Sequence, residues 1–416
     1  MKIAMVSEHA SPLAVLGGAD AGGQNVHVAE LSAALTRRGH EVTVYTRRDD
    51  PSLPDRVEMP QGYTVIHVPA GPAEHVPKDE LLPHMGSFAR FLDAQWSADR
   101  PDVSHAHFWM SGLATQLAAR HLELPAVQTF HALGVVKRRH QGADDTSPKE
   151  RLRLEAMVAR TATWVAATCT DEVFELMRMG RARGRMSVVP CGVNLERFTP
   201  EGPAAPRGER RRIVSVGRFV PRKGFDIVVR ALPAIPDAEL VIVGGPDNAQ
   251  LDSDPEACRL MQVATELSVA DRVQLYGSVA REDMPAILRS ADVVACTPWY
   301  EPFGIVPLEA MACGVPVVAS AVGGMLDTVV HDVTGKLVRP KSAPEVAIAI
   351  NQLMRDDFLR QSLGAVGRDR ARARYSWDRI AADTLRIYER LTPAAAVLPA
   401  GAVLPARPAG SNVSSG

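Results

Sequence analysis

The chain has 416 residues, 46% of them hydrophobic and 23% charged, with a formal net charge of −1. A length two to three times that of a common domain implies two globular domains, and near-neutral charge gives no electrostatic reason to expect nucleic acid as a partner. Cys169, Cys191, Cys258, Cys296 and Cys313 lie far apart without metal or redox spacing, so reduced thiols in a cytoplasmic protein are expected.

From the N-terminus, the apolar stretch Ile3 to Val6 is too short for the apolar region of a signal peptide. No uninterrupted apolar run approaches the roughly 18–20 residues of a membrane span, so any membrane contact is expected to be peripheral. Short β-branched runs then alternate with helical patterns: KIAMV, a helix from Gly23 to Arg38, EVTVYT, YTVIHVP, VSHAHF, AVQTFH, WVAAT and SVVPCGV. Such alternation predicts parallel strands covered by helices. Residues 199–212, TPEGPAAPRGERRR, are rich in Pro, Gly and charge and read as a linker. The pattern restarts with IVSVG, ELVIVGG, RVQLYG, DVVACTP and VPVVAS. SWDRIAADTLRIYERL has a serine N-cap and helical periodicity, and the Ala/Pro-rich stretch from Pro393 reads as disordered.

The expected fold is therefore α/β, with two doubly wound Rossmann-like domains at residues 1–198 and 213–375. A linker at 199–212, a terminal helix at 376–392 and a tail at 393–416 complete the chain. In open parallel sheets ligands sit outside the carboxyl ends of the strands, so two such domains facing each other would enclose a cleft lined by strand-end loops.

The unusual residues fall on those loops. GGADAGGQN, Gly17 to Asn25, precedes the first helix; its spacing is not the dinucleotide-binding fingerprint, but its glycines suit close backbone approach to an anion, with a flexible turn as the alternative. In VGRFVPRKG, Arg218 and Lys223 follow a strand and suit a departing diphosphate, or else are solvated surface charges. In EPFGIVPLEA, Glu301 lies in a loop and Glu309 inside the next helix, where Pro307 suits the first turn. The amides of Gly304, Ile305 and Val306 then face phosphate oxygens, while Glu309 either accepts from a ribose or merely complements the helix dipole. His131 ends AVQTFH, where it suits holding a hydroxyl or donating to developing charge, with a structural role as the alternative. His105 and His107 alternate on one strand, but no carboxylate at ligand spacing accompanies them, and no metal site is expected.

DAGGQNVHVAELSAALTRRGHEV, VGRFVPRKG and EPFGIVPLEAMACGVPVVAS, in that order along the chain, resemble the retaining nucleotide-sugar glycosyltransferases of family 4, which have two facing domains (the GT-B architecture) and include the sucrose-phosphate synthases. The resemblance extends to about residue 391. HASPL, DAGGQNV, PKDEL, HFWMSG and ALGVVK make the first half most similar to the branch that carries N-acetylglucosamine to inositol phosphate. The resemblance implies Gly23 and Asn25 in the donor and acceptor pocket, His131 beside the donor sugar, and Arg218 and Lys223 on the diphosphate. It also implies Glu301 on the sugar hydroxyls, Glu309 on the ribose, and the backbone near Val279 on the base. His9, Lys78 and Arg151 fall where that branch binds its phosphorylated acceptor; Lys78, Lys137, Arg138, Arg139 and Arg151 supply cations toward the cleft, with a solvated loop as the alternative. Phe108 and Ala132 replace a tyrosine and a threonine that touch the acceptor phosphate there, which weighs against inositol phosphate.

The implied reaction moves a hexose or N-acetylhexosamine from a nucleoside-diphosphate sugar to a hydroxyl of a small, phosphorylated or unphosphorylated, sugar or polyol. The leaving phosphate takes the acceptor's proton, and no cofactor or metal is required. A nucleotide-sugar epimerase and a silent nucleotide-sugar binder are the alternatives on the same fold. The sugar, base and oligomeric state are left open by the residues.

Overall fold

The structure, a computed structural model, describes residues 1–13 and 22–392. The tail from Pro393 and most of the loop before Gly22 lie outside the described residues. Eight strands build the first sheet: β1 (Lys2–Val6), β2 (Glu41–Arg47), β3 (Arg56–Glu58), β4 (Thr64–Val68), β5 (Val103–His107), β6 (Ala126–Thr129), β7 (Trp164–Ala167) and β8 (Met186–Val188). Their order is β3-β4-β2-β1-β5-β6-β7-β8, parallel except for the edge strand β3. The second sheet is wholly parallel and comprises β9 (Arg211–Val216), β10 (Ala238–Val243), β11 (Val273–Tyr276), β12 (Val293–Cys296), β13 (Val317–Ser320) and β14 (Gly335–Val338). It runs in the order β11-β10-β9-β12-β13-β14.

Apolar β-branched strands explain the architecture. Residues such as Val65, Val103, Val214, Ile242, Val294 and Val317 are fully buried, because helices cover both faces of each sheet. Short β3 and β14 carried no clear alternation and were not expected. The predicted linker ends earlier than its composition suggests, since β9 begins at Arg211. Charge in that segment is paired rather than solvated: buried Arg212 donates from Nε to Glu239 (2.6 Å), and Arg207 and Arg211 reach Asp292 (2.6 and 3.1 Å).

In each sheet the order of strands reverses about a central pair, β1/β5 in the first and β9/β12 in the second. Strand-end loops part at such a switch point and leave a crevice for a ligand. The terminal helix Trp377–Leu391, capped by Ser376, returns to the first domain. Val193 bridges to Ser376, Trp377 packs against His27, and the buried Tyr388 hydroxyl lies 2.7 Å from His105 Nδ1. The first domain thus includes the end of the described chain.

Tyr388→Phe removes a hydroxyl whose partner is fully buried, so an expected loss of about 1–3 kcal/mol follows. Thermal unfolding followed by circular dichroism should show a lower midpoint with the secondary structure unchanged; an unaltered midpoint would show that His105 does not depend on that contact.

Candidate active site

Loops of both domains meet around a cavity of about 610 Å³, within the usual range for a small-ligand site. On the first domain, the lining includes His9, Gly23, Asn25, His27, Lys78, Phe108, His131, Lys137 and Arg151. On the second it includes Arg218, Arg222, Lys223, Val279, Arg281, Glu301, Gly304, Ile305, Val306 and Glu309. Every site residue expected from the sequence therefore lines one cavity, although several are engaged differently from that expectation.

The second domain assembles an anion-binding end. Loops after β9 and β12 are clamped together at Gly224, whose φ is +68° and whose carbonyl accepts from Thr297 Oγ1 at 2.8 Å. A Cβ there would fall 2.0 Å from the Thr297 carbonyl oxygen, so the clamp requires glycine. The clamp sets Lys223 Nζ 2.6 Å from Glu301 Oε2. Burial pushes the Glu301 carboxyl up, but Lys223, Arg222 and Arg218 outweigh it and hold the group ionised below its usual range. Gly304, at φ +91°, turns the chain into the helix Ile305–Ala312, with the first amides of that helix beside the cavity. Pro307 sits in its first turn, as expected.

Glu309 is buried and its Oε1 lies 2.8 Å from Arg281 Nη2. Burial pushes its carboxyl above the usual range, only partly offset by Arg281. The expected ribose ligand therefore shares its charge with an arginine that sequence reasoning missed. The "REDM" segment containing Arg281 showed no motif; only its place after β11 marks it.

On the first domain, Asn25 also has a structural duty. Its Oδ1 accepts from Gly22 N and its Nδ2 donates to the Ser11 carbonyl, both at 2.9 Å, which fixes the start of the helix Gly23–Arg37. A Cβ on Gly23 would meet Ile305 Cδ1 at 3.1 Å, so the two domains touch there. His9 Nδ1 is 2.7 Å from buried Glu8 Oε1, and its ring sits edge-on to Phe108.

His131 stands two residues beyond the end of β6, rather than ending the strand, and adopts φ +60° in a turn closed by Ala132 N–H to the Phe130 carbonyl (2.7 Å). Phe108, after β5, has φ +80°. Left-handed backbone at two bulky residues beside the cleft is strain held by the surrounding packing, as occurs at functional sites. Four histidines converge behind this turn: His131 Nε2 is 2.9 Å from His107 Nδ1, the His107 ring lies tilted against His105 with centroids 4.3 Å apart, and His27 packs edge-on to His131. Burial is the main cause that pushes His27 down to about 4, His105 to about 3, and His107 and His131 well below the usual value, so all four are neutral at pH 7. His105 and His107 alone alternate on one strand in the sequence. In the fold, His27, His107 and His131 offer ligand atoms within 4.8 Å of one another. The 2.9 Å contact is a hydrogen-bond length, shorter than the about 3.4 Å between nitrogens sharing one tetrahedral zinc ion.

At the acceptor end, Lys137 Nζ lies 3.0 Å from Asp145 and 3.6 Å from Asp79. Buried Arg151 donates to the Ala132 carbonyl (2.9 Å) and Ser147 Oγ (3.0 Å), pairs with Glu155, and covers the Phe108 ring. Arg138 and Arg139 do not join them: both are exposed, and Arg139 pairs with Glu175 at 2.9 Å. Three further contacts cross the cleft, Gln141 Nε2 to Tyr300 Oη (2.9 Å), Thr168 Oγ1 to the Pro302 carbonyl (3.3 Å) and Thr170 N to Asp327 Oδ2 (2.6 Å).

A family model described as Glycosyltransferase Family 4 matches residues 21–197, and one described as Glycosyl transferases group 1 matches residues 201–370. The D-inositol 3-phosphate glycosyltransferase of Xylanimonas cellulosilytica is 38% identical over 410 residues, covering 94% of this chain and 97% of that protein. Its counterpart in Jonesia denitrificans is 36% identical over 421 residues, covering 95% and 97%. Among solved structures, the sucrose-phosphate synthase (tll1590) of Thermosynechococcus elongatus superposes with a TM-score of 0.86 at 33% identity, covering 94% of this chain and 98% of that one. Anabaena Alr3699/HepE in complex with UDP and glucose shares the fold at 21% identity, with a TM-score of 0.70 over 93% and 98% of the two chains.

Glu172 yields a pH test. Burial raises its carboxyl to about 7, despite hydrogen bonds from Thr168 N (2.7 Å) and Oγ1 (2.5 Å). The folded state therefore binds this proton more tightly than the unfolded one. The contribution to stability is full below the ordinary value of about 4.5 and is lost as pH rises through about 7. Glu172→Gln is expected to flatten that decline and to be about 1–3 kcal/mol more stable than the parent at pH 8. Melting midpoints at pH 5 and pH 8 check this, and an equal decline in both proteins would refute it.

Proposed function

The chain belongs to glycosyltransferase family 4 and is a glycosyltransferase, and from that premise we propose that it transfers a hexose or N-acetylhexosamine, with retention, from a nucleoside-diphosphate sugar to a hydroxyl of a small phosphorylated sugar or polyol. The observation that carries the reading is the Lys223–Glu301 pair at 2.6 Å, set beside Arg218 and the Ile305 helix start and facing His131 across the cavity. A diphosphate needs fixed positive charge where its own charge grows as it leaves, and preorganised cations and helix amides supply that without reorganisation.

In this arrangement Arg218, Lys223 and the amides of Gly304, Ile305 and Val306 hold the diphosphate. Glu301, kept ionised by Lys223, accepts hydrogen bonds from sugar hydroxyls, Glu309 beside Arg281 accepts from the ribose, and the backbone near Val279 meets the base. His9, Asn25, Lys78, Lys137 and Arg151 face the acceptor. The acceptor oxygen attacks the anomeric carbon on the face from which the diphosphate departs. The bond from that carbon to the phosphate oxygen breaks as the new glycosidic bond forms, and the phosphate oxygen takes the acceptor's proton. Orientation and charge stabilisation then account for the rate, with no covalent nucleophile or metal in any step.

Relatives named for inositol 3-phosphate and for sucrose phosphate support a phosphorylated acceptor. Phe108 and Ala132 offer no side-chain hydroxyl at the acceptor end, so the phosphate rests on Lys78, Lys137 and Arg151. Hexose phosphates are therefore the first acceptors to set beside inositol phosphate. No observation favours the epimerase or silent-binding alternatives.

The test is release of nucleoside diphosphate from a panel of nucleotide sugars, with and without inositol phosphate and hexose phosphates, followed by proton NMR of the product's anomeric centre. Acceptor-dependent release with retained configuration is expected; inversion, or release unaffected by every acceptor, would overturn the reading. Lys223→Ala is expected to lower kcat on the order of a hundredfold at saturating donor, the scale of one lost charge-stabilising group. Single-turnover kinetics would measure it, and unchanged turnover would remove Lys223 from the chemistry.

A further inference from the structure

Behind the cleft, the histidine chain ends on a group that cannot donate. His107 Nε2 lies 3.5 Å from the thioether sulfur of Met5, and both residues are fully buried. A thioether carries no hydrogen, so a bare lone pair at Nε2 would be buried without a donor, and the tautomer that satisfies both ring nitrogens puts the proton there. His107 is neutral, its proton affinity lowered by burial and by His105, His131 and His27, and therefore has a single N–H. Its Nδ1 is then an acceptor. The Nε2 of His131, 2.9 Å away, must be the donor of that hydrogen bond. His131 is neutral as well, so its Nδ1 keeps a bare lone pair on a ring that lines the cleft.

A parallel chain runs alongside. Thr129 Oγ1 gives its hydrogen to the Ala166 carbonyl (3.0 Å) and so accepts from His105 Nε2 (2.9 Å). His105 Nδ1 then accepts from the Tyr388 hydroxyl (2.7 Å). The tautomer of His105 is thus fixed independently, and its one N–H is committed to Thr129 rather than free to pass to the neighbouring His107.

Resting on the transferase reading above, we infer that His107, backed by Met5, is a positioning residue that locks His131 as a hydrogen-bond acceptor, so that the donor sugar is recognised through a hydroxyl that gives its proton to His131 Nδ1. Three consequences follow. His131 does not protonate the leaving diphosphate, since its one N–H is committed to His107. The expectation that it donates to developing charge is replaced by acceptance from a ground-state hydroxyl. A donor sugar whose group at that position is only an acceptor, such as an O-methyl ether, meets lone pair against lone pair and is rejected.

Two measurements test this separately from the transferase reading. Long-range proton–nitrogen NMR of the ¹⁵N-histidine-labelled full chain, with His131 and His107 assigned by His131→Ala and His107→Asn, reads the tautomers without any substrate. Nε2–H on both rings is expected at pH 7; an Nδ1–H tautomer or an imidazolium at His131 would overturn the inference even if transfer activity is found. The second measurement is kinetic. His107→Leu removes the acceptor for His131 and is expected to lower kcat/KM roughly tenfold, the scale of one misdirected hydrogen bond. His107→Asn, whose Oδ1 can take the place of Nδ1, should restore most of it. Within a series of monodeoxy donors, the one lacking the recognised hydroxyl should be insensitive to His107→Leu. An equal loss with every donor would mark His107 as merely structural. If no nucleotide sugar turns over, the transferase reading fails, while the NMR result still decides the tautomer.

Discussion

Parallel strand direction is the constraint on which everything else rests. When strands run the same way, every forward connection leaves from the same end of the sheet, and reversal of strand order opens a gap between neighbouring loops. The gap between β1 and β5 receives His9, Phe108 and the first helix, and that between β9 and β12 receives Lys223 and Glu301. Facing the two gaps produces one cavity with unlike walls. One wall carries neutral histidines and paired cations, and the other carries cations with a helix start.

Charge in the cleft is balanced locally. Lys223 meets Glu301, Arg281 meets Glu309, Lys137 meets Asp145, and Arg151 meets Glu155. Buried ions left unpaired would cost several kcal/mol each, so pairing lets a site for a polyanion persist when no ligand is bound. The neutral histidines behind His131 achieve the same end by giving up their protons, since burial makes the charged form too costly.

Much of this was legible in the residues. Strands rich in valine and isoleucine, the restart after residue 212, and the Pro-Gly break between Glu301 and Glu309 carried the two-domain plan and the loop-plus-helix reading. The family motifs then placed His131, Arg218, Lys223 and both glutamates around one cavity. What the sequence hid was pairing between distant segments. Arg211 and Arg212 looked like solvated linker charge because Glu239 and Asp292 lie 27 and 81 positions away along the chain. His27 sits inside a helix with no motif to mark it, and Met5 is one more apolar residue of β1. Only the parallel register of β1 with β5 and of β5 with β6 brings Met5, His107 and the His131 turn into line.

The bridge between Val193 and Ser376 places the exit from the first domain beside the return to it. The second domain is therefore a cassette spliced into the first, with its entrance and exit side by side. During synthesis the ribosome delivers the cassette whole before it delivers Trp377 to Leu391. The first domain cannot seat Tyr388 against His105 until those last turns emerge, so the half of the molecule that is made first cannot complete its packing until nearly the whole chain has been made.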